Sequence, residues 1–439
     1  MNKKKFAIAG LGVRGIHQFV LPLLGRGLPD DPVFTDRAEL VGILDPDRDR
    51  VAAFLGHMGV DIPWYPERAT KRMLAETGAD TLIVTGTDAS HCRHILRGLE
   101  QGCDVIVEKP MVISAREVRR VQAAELRSGR QVRVAHNLRY TPTHRKLKRM
   151  IMEGLLGRIV NIEFTYNLDT WHGSSYFYRW NRSRAHSGGL SIHKSCHHFD
   201  LINWLLDDIP ETLFATGGRA YYGPEGALRP RNAQGKPLDP VEERRQCPVF
   251  QTHYADKNDP AAAAPATGWD KFKLPYDVIY PPEQRRYIYD DAIDVEDHYA
   301  VTVAYRSGTC LTYSCNFCTP WEGYILGING TKGRVEIKHH SDPDPTGKSQ
   351  PKPTAGRIVF YPLFGGQQVF EIPPVAGGHG GADGMAKEDL LGTPSAESRE
   401  LQLVAGSEAG GHAIAMGEAV VRSIKNKRQV AIGKLLPQG

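Results

Sequence analysis

The chain predicts an α/β fold in two parts: a doubly wound parallel sheet over the first third, then an α+β domain with a largely antiparallel open sheet. Three observations carry this expectation. Between residues 5 and 135, short apolar runs alternate with helical stretches, the pattern of repeated strand–helix units. After Pro142 the pattern changes to alternating strands at 159–167, 300–305, 309–316, 324–329 and 333–338, as in a sheet with one face covered. A stretch at about 224–293, rich in proline, alanine and charge, is too irregular for core strands and reads as an insertion. The two parts divide near residue 140, at 1–140 and 141–439.

The first strand, 5–9, runs straight into Gly10, Gly12 and Gly15. Gly10 allows a tight turn into a helix, Gly12 lets backbone approach a pyrophosphate, and Gly15 lets the helix pack on the strand; with Val13 and Arg14 they read as a dinucleotide-binding turn. The second strand, 40–44, ends at Asp45, a carboxylate placed to hydrogen-bond an adenosine ribose and to repel a 2′-phosphate, which favours NAD over NADP. Asp45 stands thirty positions after Gly15 where ~20 is usual, residues 28–32 read as an inserted loop, and Arg48 and Arg50 leave NADP open. The third strand, 81–85, leads into Thr85-Gly86-Thr87 and, on the next helix, His91, which either contacts the cofactor or caps and packs. The fourth, 104–107, ends at Glu108-Lys109-Pro110. The fifth, 131–135, ends at His136-Asn137-Leu138-Arg139, where Asn137 and Arg139 line the cleft or bond across the domain junction. A helix over 144–153 stops at Gly154.

Composition narrows the class. With 439 residues, 41% hydrophobic and 24% charged, the chain has enough apolar content for a two-domain globular protein. A net charge of +5 with dispersed basic residues carries no nucleic-acid footprint, and the Lys3-Lys4-Lys5 run reads as the solvated start of a strand. No run reaches the ~18 apolar residues of a membrane span and no secretory leader precedes the first strand, so the expectation is cytoplasmic. The seven cysteines form no framework; Cys315 and Cys318 match a metal or redox spacing but sit in a strand pattern that turns them to opposite faces, so they read as strand cysteines.

The glycine turn, Thr85-Gly86-Thr87 with His91, Glu108-Lys109-Pro110, His136 to Arg139, and Ser187-Gly188-Gly189 followed by His197-His198-Phe199-Asp200 together resemble the glucose–fructose oxidoreductase, inositol dehydrogenase and rhizopine-catabolism (Gfo/Idh/MocA) family. The resemblance covers nearly the whole chain. It implies a Rossmann domain holding a nicotinamide cofactor, a second domain for substrate binding and oligomerisation, and oxidation or reduction of a ring carbon in a sugar or cyclitol. It also implies that Lys109 is catalytic, that Glu108 lies near the nicotinamide ribose, and that Pro110 holds a tight turn for which a cis peptide is suited. The chemistry agrees, because a hydroxyl that loses hydride becomes strongly acidic and a lysine at the ligand edge of a parallel sheet can accept its proton.

His193 and His197 are four apart in a stretch that reads as helix, placing both on one face about 6 Å apart. The family usually has aspartate where His193 stands; a second imidazole supplies no negative charge to its neighbour, which moves more of the proton burden to Lys109. His197 is the second catalytic candidate, His193 orients substrate or passes a proton, and Asp200 is a candidate partner one turn on. A metal held by His193 and His197 with His186, His198 or His379 is a sharper alternative, although no carboxylate motif accompanies the pair. Asn137, Arg139, His379 and Asp383, the last two in a glycine-rich segment able to cover a sugar, complete the expected contacts, and aromatics between Trp171 and Trp180 suit stacking on a ring. The leading expectation is an NAD-dependent oxidoreductase for a ring hydroxyl of a sugar, glycoside or cyclitol, assembled as a homo-oligomer, dimer or tetramer, through the exposed face of the second sheet. Two others stand beside it: a redox-neutral glycoside-cleaving enzyme using transient C3 oxidation and elimination, and a non-catalytic sugar- or NAD-sensing regulator, against which retention of Lys109 and His197 argues.

Overall fold

The computed structural model describes residues 3–27, 31–253, 287–340, 355–375 and 378–436. Six parallel strands, β1 (Lys4–Ala9), β2 (Ala38–Leu44), β3 (Trp64–Tyr65), β4 (Thr81–Val84), β5 (Asp104–Val107) and β6 (Val132–Val134), lie in the order 6-5-4-1-2-3. All four residues of β4 are buried, as are Val105, Ile106 and Val107 of β5, because helices cover both faces of the sheet. Such continuous apolar runs identify these strands in the sequence. Two of the helices start on polar caps, with Asp47 accepting from the Arg50 N–H and Ser114 from the Glu117 N–H.

The second sheet has nine strands: β7 (Ile159–Asp169), β8 (Pro210–Gly218), β9 (His298–Tyr305), β10 (Cys310–Thr319), β11 (Gly323–Gly330), β12 (Gly333–His340), β13 (Gly356–Pro362), β14 (Gln368–Ile372) and β16 (Val430–Ala431). Their order is 14-13-12-11-7-10-9-8-16, and every neighbouring pair is antiparallel except β7 with β10. Burial alternates along β9 and β10, as one-sided cover requires. Cys315 is buried and Cys318 partly so, both as free thiols, with burial pushing Cys318 up to about 11.

One element of the far end of the chain crosses the division at residue 140. An edge strand of the first sheet, β15 (Ala405–Gly406), comes from the far end of the chain and pairs antiparallel with β6. The helix that follows it, Ser407–Asn426, packs on β8 and on the helix Cys196–Leu206, tying the two sheets together. Gly417 lets the same helix approach the helix Leu190–His193, since a Cβ there would sit 2.6 Å from the Ser191 carbonyl oxygen. Of the expected insertion, 254–286 lies outside the described residues. The flanking part packs on the second domain: Tyr222 donates to the Phe317 carbonyl on β10 at 2.9 Å and stacks on Phe177 at 4.0 Å, and Arg182 binds Asp290 at 2.7 Å.

Candidate active site

The parallel sheet delivers its ligand edge at the C-terminal ends of β1, β2, β4 and β5, where Gly10, Asp45, Thr85 and Glu108 follow. Gly10 has φ +104°, and a Cβ there would stand 2.5 Å from the Gly86 N. A Cβ on Gly15 would stand 2.6 Å from Thr85 Oγ1, whereas one on Gly12 meets nothing within 4 Å. The turn is thus close-packed at Gly10 and Gly15 and open at Gly12, and the helix beginning at Val13 has no side-chain cap, which fits a pyrophosphate on its N–H groups.

Asp45 is 1% exposed. Its carboxylate accepts from the Leu11 N–H at 2.8 Å and the Asp47 N–H at 2.9 Å, and pairs with Arg50 Nη2 at 2.7 Å. It therefore shapes the glycine turn as well as ending β2, and it occupies Arg50, one of the two arginines that left NADP open. Arg48 lies over the Trp64 ring at 5.6 Å. In the expected 28–32 loop, residues 28–30 lie outside the described residues, while Asp31 binds Lys387 at 2.6 Å. Thr85 braces the turn by donating to the Gly10 carbonyl at 2.5 Å, and Thr87 is exposed at the rim. Both ring nitrogens of His91 face carbonyls, Pro110 at 2.8 Å and Gly86 at 3.1 Å, so this fully buried ring is a brace between two site loops, the capping and packing alternative.

The Lys109–Pro110 peptide is cis, and Lys109 Nζ donates to the His193 carbonyl oxygen at 3.3 Å. The helix expected to carry both histidines on one face is broken: it runs Leu190–His193, leaves the helix at Lys194 and Ser195, and resumes at Cys196. Ser195 is anchored there through hydrogen bonds to Tyr299 (2.5 Å) and Tyr313 (2.7 Å) on the sheet. The two imidazoles consequently have different partners. His193 Nδ1 meets Asp88 Oδ2 at 2.5 Å and its Nε2 meets Asn181 Nδ2 at 3.0 Å, so neither nitrogen is left over to orient substrate or bind a metal. His197 Nδ1 is buried without a hydrogen bond, and its ring lies edge-on to His136, 5.8 Å between centroids, whose two nitrogens also lack a hydrogen bond, Nδ1 standing 3.9 Å from Asp200 Oδ2.

Electrostatics divide these groups. Burial, reinforced by the positive charge of Lys109, holds both His193 and His197 well below the ordinary imidazole value. Burial pushes the Asp88 carboxyl well above its usual range against the pull of Lys109. The Asp88–His193 contact is therefore a buried pair in which burial favours the neutral form of each group. Asp200 does not reach His197; Arg139 binds it bidentately at 2.8 and 2.6 Å and also donates to the Gln402 carbonyl at 2.9 Å. Arg139 thus takes the domain-junction alternative, its guanidinium engaged inside the protein instead of facing a substrate.

On the other side of Glu108, Arg14 donates to its carboxylate at 2.7 Å and lies 3.7 Å from Asp383. Asp383 also meets His379 Nδ1 at 2.9 Å and Asn137 Nδ2 at 3.4 Å, and Arg14 with His379 holds its carboxyl far below the usual range despite burial. His379 itself sits at φ +50° in the described part of the glycine-rich segment, of which 376–377 lie outside the described residues. Five expected site residues, Arg14, Glu108, Asn137, His379 and Asp383, thus form one hydrogen-bonded wall. Tyr176 and Trp180 from the aromatic stretch pack edge-on to His193 at 5.5 and 5.4 Å, and His172 binds Glu322 at 2.9 Å. The third ligands considered for a metal are scattered: His186 is exposed, His198 bonds Tyr313 at 2.7 Å, and His379 is on the opposite wall. Among the described residues no group of three or more His, Cys, Asp or Glu side chains could hold a metal ion.

Residues 4–136 match the family model described as "Oxidoreductase family, NAD-binding Rossmann fold", and residues 148–432 match "Oxidoreductase family, C-terminal alpha/beta domain". The chain belongs to the Gfo/Idh/MocA oxidoreductase family. Its first domain is the NAD-binding Rossmann fold of that family. Over 447 aligned residues it is 38% identical to a Bacillus subtilis (strain 168) protein, YteT, that bears an oxidoreductase name, covering 98% of each chain. An inositol 2-dehydrogenase of Saccharopolyspora erythraea is 28% identical over 172 residues, 39% of this chain and 47% of that one. In fold, the aldose-aldose oxidoreductase of Caulobacter crescentus superposes with a TM-score of 0.61 at 16% identity, over 98% of this chain and 100% of that one.

Proposed function

We propose that this family member is an NAD-dependent dehydrogenase acting on a ring hydroxyl of a sugar, glycoside or cyclitol, with Lys109 and His197 handling the proton. The observation that carries the proposal is the convergence of Lys109 Nζ, the buried unpartnered nitrogens of His197 and His136, and the Asp88–His193 pair at the edge where the open Gly12 turn lies. Unpartnered buried polar atoms are costly, and a polyhydroxylated ring supplies hydrogen-bonding partners of the kind they lack. The names of the inositol and aldose oxidoreductase relatives point to the same substrate class. Asp45, buried at the end of β2, supports NAD over NADP by opposing a 2′-phosphate.

NAD, when bound, supplies the hydride acceptor. Lys109, anchored through the His193 carbonyl, takes the hydroxyl proton and returns it to an alkoxide in the reverse direction. His197, kept neutral by burial, donates its ring N–H to the oxygen of the same hydroxyl and fixes its orientation. Arg14 and Asp383 hold Glu108 and the glycine-rich segment together on the cofactor side. The redox-neutral alternative needs His193 as an elimination base, and the Asp88 and Asn181 contacts of that ring weigh against it.

Lys109→Ala should keep the fold and bind NAD with unchanged affinity, yet lose about a hundredfold or more in turnover on whichever ring polyol the unmutated protein oxidises. Near-normal turnover by the folded variant would remove Lys109 from the mechanism. A homo-oligomer through the second sheet is part of the proposal: Val160, Phe214, Ile325 and Val369 are exposed apolar residues on four of its strands. Sedimentation of the purified protein as a monomer would refute that part.

A further inference from the structure

After β14, an edge strand of the second sheet, the chain returns to the first domain in the helix Gly378–Leu391. The far end of that helix is anchored there: Lys387 binds Asp31 at 2.6 Å in a buried pair, and Glu388 binds Arg37 at 2.8 Å. Its near end is fastened separately. His379, Gly380 and Gly381 are left-handed (φ +50°, +65° and +86°) instead of helical, a conformation that a residue with a Cβ avoids. Asp383 closes this turn, since its carboxylate meets His379 Nδ1 at 2.9 Å and a Cβ on Gly378 would collide with it. The same carboxylate lies 3.7 Å from Arg14 Nη1 in the dinucleotide turn and 3.4 Å from Asn137 Nδ2. Arg14 in turn donates to Glu108 at 2.7 Å, and because the strand order is 5-4-1 this contact spans the C-terminal end of β4. A dinucleotide that rests on the glycine turn and reaches Lys109 runs along that same sheet edge. Glu108, Asn137 and Asp383 are buried while Arg14 and His379 are partly exposed, so the turn is the outer layer over this edge.

We propose that the turn at 378–383 is a latch over the bound dinucleotide, that Asp383 fastens it to Arg14, and that NAD enters and leaves only when this contact opens. The latch rests on NAD binding by the Rossmann domain and on no assignment of substrate, so it and the dehydrogenase reading fail separately. Opening requires little of the fold. The helix stays pinned at Lys387 and Glu388, Glu108 keeps Arg14 in place, and the glycines at 380 and 381 tolerate a second backbone conformation, as hinge positions do. A latch also differs kinetically from an ordinary cofactor contact. A contact stabilises the bound state and slows release alone, whereas a latch obstructs entry as well as exit.

The test is stopped-flow fluorescence of NADH on the full-length protein, with association read from the dependence on NADH concentration and release from displacement by excess NAD. Asp383→Asn keeps the shape of the side chain and removes the charge that faces Arg14. It should speed release and association together, each by about tenfold, and leave the dissociation constant within about threefold of the wild type. His379→Gly permits the left-handed turn but removes its bond to Asp383, and should raise both rates by a smaller factor. Faster release with unchanged association would make Asp383 an ordinary cofactor contact and overturn the latch. Unchanged rates in both folded variants would overturn it as well. Should Asp383→Asn not fold, His379→Gly, at a partly exposed position, decides the matter on the same criterion.

Discussion

Asp88 changes how the proton chemistry reads at the level of single residues. With histidine in the position that usually holds aspartate, the sequence suggests a site whose imidazoles have no carboxylate; the fold supplies one from the first domain, 2.5 Å from His193. Asp88 is a positioning residue: it holds the ring whose backbone carbonyl holds Lys109 Nζ. Because burial raises its carboxyl well above the ordinary value, the pair has an ionisation above the ordinary carboxylate range that an amide cannot have. Asp88→Asn should therefore lower kcat about tenfold or more, leave NAD affinity within about threefold, and erase that ionisation from the pH dependence of kcat. An unchanged profile at wild-type rate would show that the pair is only structural.

Individual elements are tied down by buried neutral histidines. His144, on the helix Pro142–Met152, bonds the Leu138 carbonyl at 2.8 Å and Tyr324 on β11 at 2.8 Å, and burial lowers it to about 4; His94, on the helix Asp88–Glu100, bonds Thr70 at 3.0 Å and is lowered to about 3. In the unfolded chain both rings take up protons below about pH 6.5, whereas in the folded protein they stay neutral until these lower values. The unfolded state then binds more protons, so stability is fully present above pH 6.5 and falls as pH drops toward 4. His144 alone accounts for a loss on the order of 3 kcal/mol. Urea unfolding between pH 7 and 4.5 should show the decline, and His144→Phe should flatten its slope even though the variant starts less stable. A slope unaffected by that substitution would assign the decline to other groups.

For the whole molecule, the two sheets are joined through charge as well as packing. Arg139 follows β6 and Asp200 lies on the helix Cys196–Leu206, and the pair is almost completely buried, with Asp200 held below its ordinary range by the guanidinium. Removing one partner leaves the other charge buried and unpaired, a cost of about 3–5 kcal/mol. Arg139→Ala should thus lose about that much by denaturant unfolding, and Arg139→Met with Asp200→Leu should recover a large part. Loss below about 1 kcal/mol in the single variant would mean that the junction is held by apolar packing alone.

The sequence by itself determined the parallel strands, the glycine turn, the Glu108-Lys109-Pro110 motif and the family, because these are local: apolar runs, turn chemistry and short motifs depend on neighbours within a few residues. Weaker elements escaped it. Strands β3, β8 and β13 to β16 lack a strong local pattern and exist because a neighbouring strand pairs with them. The tertiary structure alone decided which side chains meet. Asp88 drew no reading from the sequence, since its partner lies 105 positions away, and Arg139 read equally as cleft or junction until Asp200 took its guanidinium. Helical spacing put His193 and His197 on one face, but the hydroxyls of Tyr299 and Tyr313, from strands more than a hundred residues on, hold Ser195 at the break in the helix.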